Sequence, residues 1–181
     1  MTKQVYNPQR LIAFFGWPGV GKTTLAHSLL DRIAACILNK DSIAMPMTQD
    51  VEGELYKKVV GPGSYGALWN LSRDNLSHGQ SVVLESPFHN LLRGEVDANL
   101  EKISRETASP LKLICCVAPN ELVRDRMIRR GEPRDAPKLD NWDAYVAKTH
   151  IYKVTVPHLK IDTSIPMNES VQSILDYLNS N

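Results

Sequence analysis

The chain has 181 residues, 43% of them apolar and 23% charged, with 21 basic against 20 acidic side chains and a formal net charge of +1. One domain is the expectation at this length, since domains run to roughly 100–200 residues, and the composition excludes disorder, collagen and a coiled coil. A near-neutral chain has no overall field to hold DNA, RNA or an anionic membrane, so any anion site must be local.

Short apolar runs alternate with helical stretches along the chain, the pattern of a parallel sheet with crossover helices. Residues 1–10 are polar, and the first strand, Leu11–Phe15, is too short an apolar stretch for a signal peptide or a membrane span. A helix over Lys22–Ala34 follows, then a strand over Cys36–Asn39. Gly61-Pro62-Gly63 reads as a turn before a helix over Tyr65–His78, in which Tyr65, Leu68, Trp69, Ser72 and Leu76 share one face and read as packing. The third strand is Ser81–Leu84, followed by a helix over Glu95–Thr107. The fourth, Leu111–Ala118, contains Cys115 and Cys116, which point to opposite faces of a strand and cannot easily bridge; a reducing cytoplasm suits that usage. A helix over Asn120–Arg129 leads into Arg130–Asn141, where Gly131, Pro133 and Pro137 mark an irregular, mobile loop or lid. A helix over Trp142–Thr149, a strand over His158–Asp162 and a helix over Glu169–Leu178 complete the pattern.

The strongest signal is Gly16-Trp17-Pro18-Gly19-Val20-Gly21-Lys22-Thr23, which matches G-x-x-x-x-G-K-[ST] directly after a strand and before a helix. Glycines let backbone amides converge on a polyphosphate, and a helix N-terminus adds its positive dipole end. Gly16, Pro18, Gly19, Val20, Gly21, Lys22, Thr23 and Thr24 are therefore the expected nucleotide cradle. In this pattern Lys22 reaches the β- and γ-phosphates and Thr23 offers a hydroxyl to Mg²⁺.

On these residues and on the order of elements, the chain resembles the small P-loop kinases, the group of polynucleotide kinase domains, gluconate kinase, chloramphenicol phosphotransferase and zeta-toxin-like AAA-type ATP-binding proteins. The resemblance spans nearly the whole chain, although only the phosphate loop is highly specific. It implies a three-layer α/β fold with a five-stranded parallel sheet and an Arg-rich lid near residues 124–141, in a single domain over 1–181. It further implies ATP and Mg²⁺ as ligands, transfer of the γ-phosphoryl to a hydroxyl of a small-molecule or nucleotide-like acceptor, and a cytoplasmic setting.

Asp41 follows the second strand and should face the crevice beyond the strand ends. The resemblance makes it the group that binds and deprotonates the acceptor; the alternative is an N-cap for a helix starting near Ile43. Asn39-Lys40 also begins like a guanine-reading N-K-x-D motif, but the Asp comes one residue early. Glu85 ends the third strand, where the resemblance places a metal-side acid or an acceptor contact, although Asp is the usual acid there; a cap for the turn at Pro87 is the alternative. His89 and Arg93 follow as possible acceptor-pocket residues without an identifying spacing. The five histidines show no paired metal-ligand spacing.

Arg124, Arg126, Arg129, Arg130 and Arg134 crowd into one short stretch, and guanidinium groups suit phosphate oxygens and an adenine face. They cannot all share one helical face, so some are expected in solvent or paired with Asp125 and Glu132. The resemblance makes Arg126, Arg130 and Arg134 the expected ligand contacts and puts the loop Thr163–Asn168 near the base. The acceptor's pocket is expected from irregular segments over 41–66 and 86–100. Two other functions share the phosphate loop: a nucleic-acid end kinase, which needs a basic track for the strand, and a nucleotide-dependent ATPase switch acting on a partner protein.

Overall fold

The structure is a computed structural model that describes residues 2–48, 53–150 and 154–180. Five parallel strands, β1 (Leu11–Phe15), β2 (Ala35–Asn39), β3 (Ser81–Glu85), β4 (Leu111–Val117) and β5 (Leu159–Asp162), form one sheet in the order β2-β3-β1-β4-β5. β1 lies between β3 and β4, pairing Ala13 with Leu84 on one side and with Leu113 on the other. The helices are α1 (Lys22–Leu30), α2 (Lys40–Ala44), α3 (Gly53–Leu55), α4 (Gly61–Ser77), α5 (His89–Leu92), α6 (Ala98–Glu106), α7 (Asn120–Arg130), α8 (Ala136–Asp140), α9 (Trp142–His150) and α10 (Met167–Asn179).

Helices cover both faces, which is why the central strands read as continuous apolar runs. Ile12, Phe14, Val83, Ile114, Cys116 and Ile161 pack on one side with Leu25, Leu29, Val123, Met127 and Ile174. Leu11, Ala13, Phe15, Val82, Leu84 and Cys115 pack on the other with Leu68, Leu76, Leu91, Leu100 and Ile103. The cysteine neighbours thus lie on opposite faces, and all three cysteines are free thiols. In α4, Leu68, Ser72 and Leu76 are fully buried, while Tyr65 stacks on Trp69 at 5.8 Å between ring centroids, so that face is packing as its spacing predicts. Among the described residues no helix is long and apolar enough to cross a membrane.

Four sequence expectations need correction. The first helix stops at Leu30 instead of Ala34, because Gln4 forms a parallel bridge with Ile33 and its carbonyl accepts from the Ala34 amide, drawing these residues out of the helix. Gly61-Pro62-Gly63 is not a turn but the start of α4. A π-helical turn, Tyr56–Val60, precedes it, with the Gly61 amide bonded to the Tyr56 carbonyl; proline is tolerated in a first turn, where no intrahelical partner is required for its nitrogen. Arg130–Asn141 is likewise helical instead of irregular: Gly131 ends α7 in a left-handed conformation, Pro133 opens a 3₁₀ turn over Pro133–Asp135, and Pro137 sits in the first turn of α8. The described parts of 41–66 are also mostly helical, and residues 49–52 lie outside the described residues.

Candidate active site

All the strands point their carboxyl ends the same way, so the segments following β1, β2, β3 and β5 gather at one edge. There they enclose a cleft of about 540 Å³. Pro18, Gly19, Gly21, Lys22, Thr23 and Thr24 line it from the phosphate loop, Asn39, Asp41 and Ser42 from the end of β2, Glu85 and Pro87 from β3, and Arg126, Arg130 and Arg134 from α7 and beyond. Gly16 and Val20 belong to the predicted cradle but do not line the cleft. A Cβ on Gly16, at φ +142, would come within 2.4 Å of the Cys116 carbonyl oxygen, so this glycine lets the loop leave β1 against β4. The Val20 side chain is buried in the core.

The loop's carbonyl groups are tied back. The Trp17 oxygen accepts from Lys22 Nζ at 3.2 Å, that of Pro18 from Tyr145 Oη at 3.0 Å, and that of Val20 from Thr163 Oγ1 at 2.6 Å. Among the described residues no hydrogen bond occupies the amides of Gly19, Gly21, Lys22, Thr23 or Thr24. The N-terminus of α1 has neither a side-chain cap nor an acidic residue in its first turn. Unpaired amides at a helix start are the donor set that an anion completes. Burial pushes the Lys22 ammonium pKa below its ordinary value, with Glu85 opposing the shift. A phosphate in the loop would add negative charge beside this lysine and favour its charged form.

Glu85 is buried at the centre of the site. Its Oε2 accepts from Thr23 Oγ1 at 3.0 Å and from Asn39 Nδ2, while its Oε1 lies 3.8 Å from Lys22 Nζ. The carboxylate therefore engages the phosphate loop and β2, not the turn at Pro87. Thr23 and Glu85 together offer hard oxygen donors, the kind Mg²⁺ takes.

Asp41 does not cap a helix. Asn39 does, accepting from the Asp41 amide at 2.8 Å and the Ser42 amide at 3.0 Å. A carboxamide has both an acceptor oxygen for α2 and a donor nitrogen for Glu85, so Asn39 joins the site to its scaffold. Sequence reasoning gave Asn39 no such role; its place as the last residue of β2, just before the acid, was the available signal. Asn39→Ala should lose about 0.5–2 kcal/mol for the cap. Asn39→Asp keeps the cap but sets a second carboxylate against Glu85, so it should also unfold at lower urea than the parent. Equal urea midpoints for parent and both variants would contradict the dual role.

The Asp41 carboxyl is half-buried between Lys40 Nζ at 3.2 Å and Arg134 Nη1 at 2.5 Å. Burial pushes its pKa up, but these cations outweigh it and hold the group below the usual carboxylate range. Lys40 in turn donates to Tyr56 Oη at 2.7 Å.

The arginines separate into distinct settings. Arg126 donates to Thr163 Oγ1 at 2.8 Å and to its carbonyl at 2.9 Å, which fixes α7 over Gly21. Arg130 pairs at 2.5 Å with Asp135, which is 1% exposed and also accepts from Lys138 at 3.0 Å. Arg124 lies over the Trp142 ring. The acid partners are thus Asp135 and Asp41, not Asp125 and Glu132, because the 3₁₀ turn and α8 fold back and bring Asp135 under Arg130.

Burial pushes the Asp135 carboxyl up, but Arg130 and Lys138 hold its pKa below the ordinary 3.8. A depressed native pKa adds stability above the unfolded value and loses it as pH falls through the native one. Asp135→Asn should therefore unfold at lower urea than the parent at pH 7, by about 1–3 kcal/mol for the charged hydrogen bonds. The gap should close as the pH falls below 3.8 through the native value. A gap that does not change with pH would contradict this.

The class defined by this sheet order and phosphate loop is the P-loop NTPase fold found in small kinases. A family profile described as AAA domain matches residues 11–150, and the chain belongs to that family. Among solved structures, a candidate kinase from Chloroflexus aurantiacus is 23% identical with a TM-score of 0.71, over 94% of this chain and 96% of that one. A tunicamycin resistance protein from Deinococcus radiodurans is 17% identical with a TM-score of 0.64, over 96% and 97%. The Mycobacterium tuberculosis APS kinase in complex with AMPPNP and APS is 17% identical with a TM-score of 0.58, over 96% and 99%.

Proposed function

We propose that the protein is an ATP-dependent phosphotransferase that moves the γ-phosphoryl group to a hydroxyl of a small-molecule or nucleotide-like acceptor. The supporting observation is that a single cleft is lined at once by the phosphate loop, by Asp41 and Glu85 at the ends of β2 and β3, and by three arginines.

In this reading the free amides of residues 19 and 21–24 hold the phosphates, and Lys22 neutralises charge on the transferring group. Phosphoryl transfer passes through a loose transition state, so alignment and charge neutralisation are the main demands on the protein. Thr23 and Glu85 would hold Mg²⁺, which would supply positive charge against that of the phosphates. Asp41 accepts a hydrogen bond from the acceptor hydroxyl and takes its proton as transfer proceeds. Arg134 must move off Asp41 for that, which leaves its guanidinium over the cleft to meet phosphate oxygens. The segment near 124–141 acts as a lid that excludes water, carrying Arg126 and Arg130 with it.

Arg126→Ala should lower transfer by roughly ten-fold or more, as loss of a charged hydrogen bond at the ligand. Arg130→Ala should in addition lower the urea midpoint, because it strips a partner from buried Asp135. Normal transfer in both would place these arginines outside the reaction. The proposal itself is tested by the rate of ATP consumption with and without a panel of sugars, polyols, hydroxy acids and nucleosides. An acceptor-stimulated rate is expected. Consumption that ignores every hydroxyl compound, and responds instead to a partner protein, would overturn it in favour of a switch ATPase.

A further inference from the structure

Asp41 meets two cations, one through each carboxylate oxygen. Lys40 Nζ lies 3.2 Å from Oδ1, and Arg134 Nη1 lies 2.5 Å from Oδ2. The two cations stand in different surroundings. Arg134, with its side chain 46% exposed, lines the cleft and reaches Asp41 from the 3₁₀ turn, 93 residues further along the chain. The Lys40 side chain is 11% exposed, and neither Lys40 nor Tyr56 lines the cleft. Asp41 thus has one oxygen covered by a residue of the lid and another held from behind.

Neighbouring residues of a helix do not face each other, so the Lys40 ammonium must curl back to reach Asp41. Tyr56 fixes that conformation, its Oη accepting from Lys40 Nζ at 2.7 Å. Tyr56 opens the π-helical turn before α4, and such turns are frequent at functional sites. A buried ammonium is costly unless it is paired and hydrogen-bonded, and Asp41 and Tyr56 meet both needs. Burial lowers the Lys40 pKa, but these two partners outweigh it, so the group stays charged. Lys22 of the phosphate loop and Tyr65 of α4 also lie within electrostatic reach of Asp41, and Asn39 links its amide to Glu85 of β3.

We infer that Lys40, clamped by Tyr56, is a positioning residue for the transfer: it holds Asp41 Oδ1 so that Oδ2 is the oxygen offered to the acceptor hydroxyl once Arg134 swings away. The inference rests on the phosphotransferase reading for the hydroxyl, and on the contacts alone for the hold. As the acceptor oxygen bonds to the γ-phosphorus and ADP leaves, the hydroxyl proton passes to Oδ2 while Lys40 stays on Oδ1. Arg134 exchanges its partner in each cycle, and Lys40 keeps its own. Lys40 touches neither donor nor acceptor and acts through Asp41.

The hold is tested without any acceptor. The Asp41 carboxyl carbon is followed by carbon-13 NMR as the pH falls, its signal identified by loss in Asp41→Asn. The parent midpoint should lie below the ordinary 3.8. Lys40→Met removes a cation and leaves burial to push the carboxyl up, so its midpoint should lie at a higher pH than the parent's. Tyr56→Phe keeps the ring but releases Lys40, so it should shift the midpoint the same way by less. In the Lys40→Met background it should add nothing, because the two residues act in series. A Lys40→Met midpoint equal to the parent's overturns the inference, as does a Tyr56→Phe shift that survives without Lys40.

The transfer arm uses the hydroxyl compound that most stimulates ATP consumption. Lys40→Met should lower kcat/KM for that compound by roughly ten- to hundred-fold, the scale for a reacting group displaced by about 1 Å, with KM for Mg-ATP near the parent's. Tyr56→Phe should lower it by less, with Mg-ATP again unaffected. Parental transfer in both variants, or a loss that falls equally on Mg-ATP and acceptor, overturns the inference. A shifted Asp41 midpoint with no transfer to any hydroxyl compound supports the hold and counts against the phosphotransferase reading alone.

Discussion

Lys22→Met lowers phosphoryl transfer by roughly 10²–10³-fold, the range for removing one preorganised group that faces developing charge. Methionine keeps most of the lysine's length, so packing around the phosphate loop survives and the loss falls on Mg-ATP affinity and turnover. The buried Glu85 loses its cation, 3.8 Å away, but retains its hydrogen bonds from Thr23 and Asn39. The stability loss should therefore stay below the ~3–5 kcal/mol typical of a buried ion pair stripped of one partner. Titration calorimetry with Mg-AMPPNP and urea unfolding check both halves. A variant that binds nucleotide and transfers like the parent would remove Lys22 from the donor site.

Asp41→Asn separates transfer from hydrolysis. The change keeps size and a hydrogen-bonding group but removes the basic oxygen, and general-base losses run to ~10²–10⁴-fold. The low end is expected for two reasons. A loose transition state needs little help from a base. In addition, Lys40 and Arg134 hold the Asp41 carboxyl below its usual range despite burial, which makes it a weak base whose main work is alignment. Mg-ATP affinity should be close to that of the parent. Because Asn39 supplies the cap of α2, a lost cap cannot account for the result. Unchanged transfer would reject the role of Asp41, and lost nucleotide affinity would move it to the donor side.

The five strands and the phosphate loop could be read from the sequence because both depend on local signals: buried parallel strands are continuously apolar, and the cradle needs glycine, lysine and a hydroxyl at fixed spacing. What escaped was determined by contacts that residue spacing alone does not show. The early end of α1 depends on Gln4, and the pairing of Arg130 depends on where Asp135 lands after Pro133 starts a helical turn. Prolines at 62, 133 and 137 read as breaks when they mark helix starts, since the residue alone does not say on which side of it the helix lies.

In the site, the sequence pointed to Asp41 and Glu85 through their positions at strand ends but left each with a structural alternative. The geometry removes the structural alternative in both cases: Asn39 takes the capping role from Asp41, and Glu85 engages Thr23 and Lys22 of the phosphate loop.

The central claim is that one cleft joins a nucleotide donor to a hydroxyl acceptor, and the partition of the γ-phosphoryl group tests it most directly. Phosphorus NMR of the reaction with a panel of hydroxyl compounds distinguishes a phosphate ester from inorganic phosphate. The account predicts that, with a suitable acceptor, nearly all of the phosphoryl group appears as the ester and that Asp41→Asn shifts the balance toward inorganic phosphate. Release of inorganic phosphate at one rate, with every hydroxyl compound and with none, would contradict it.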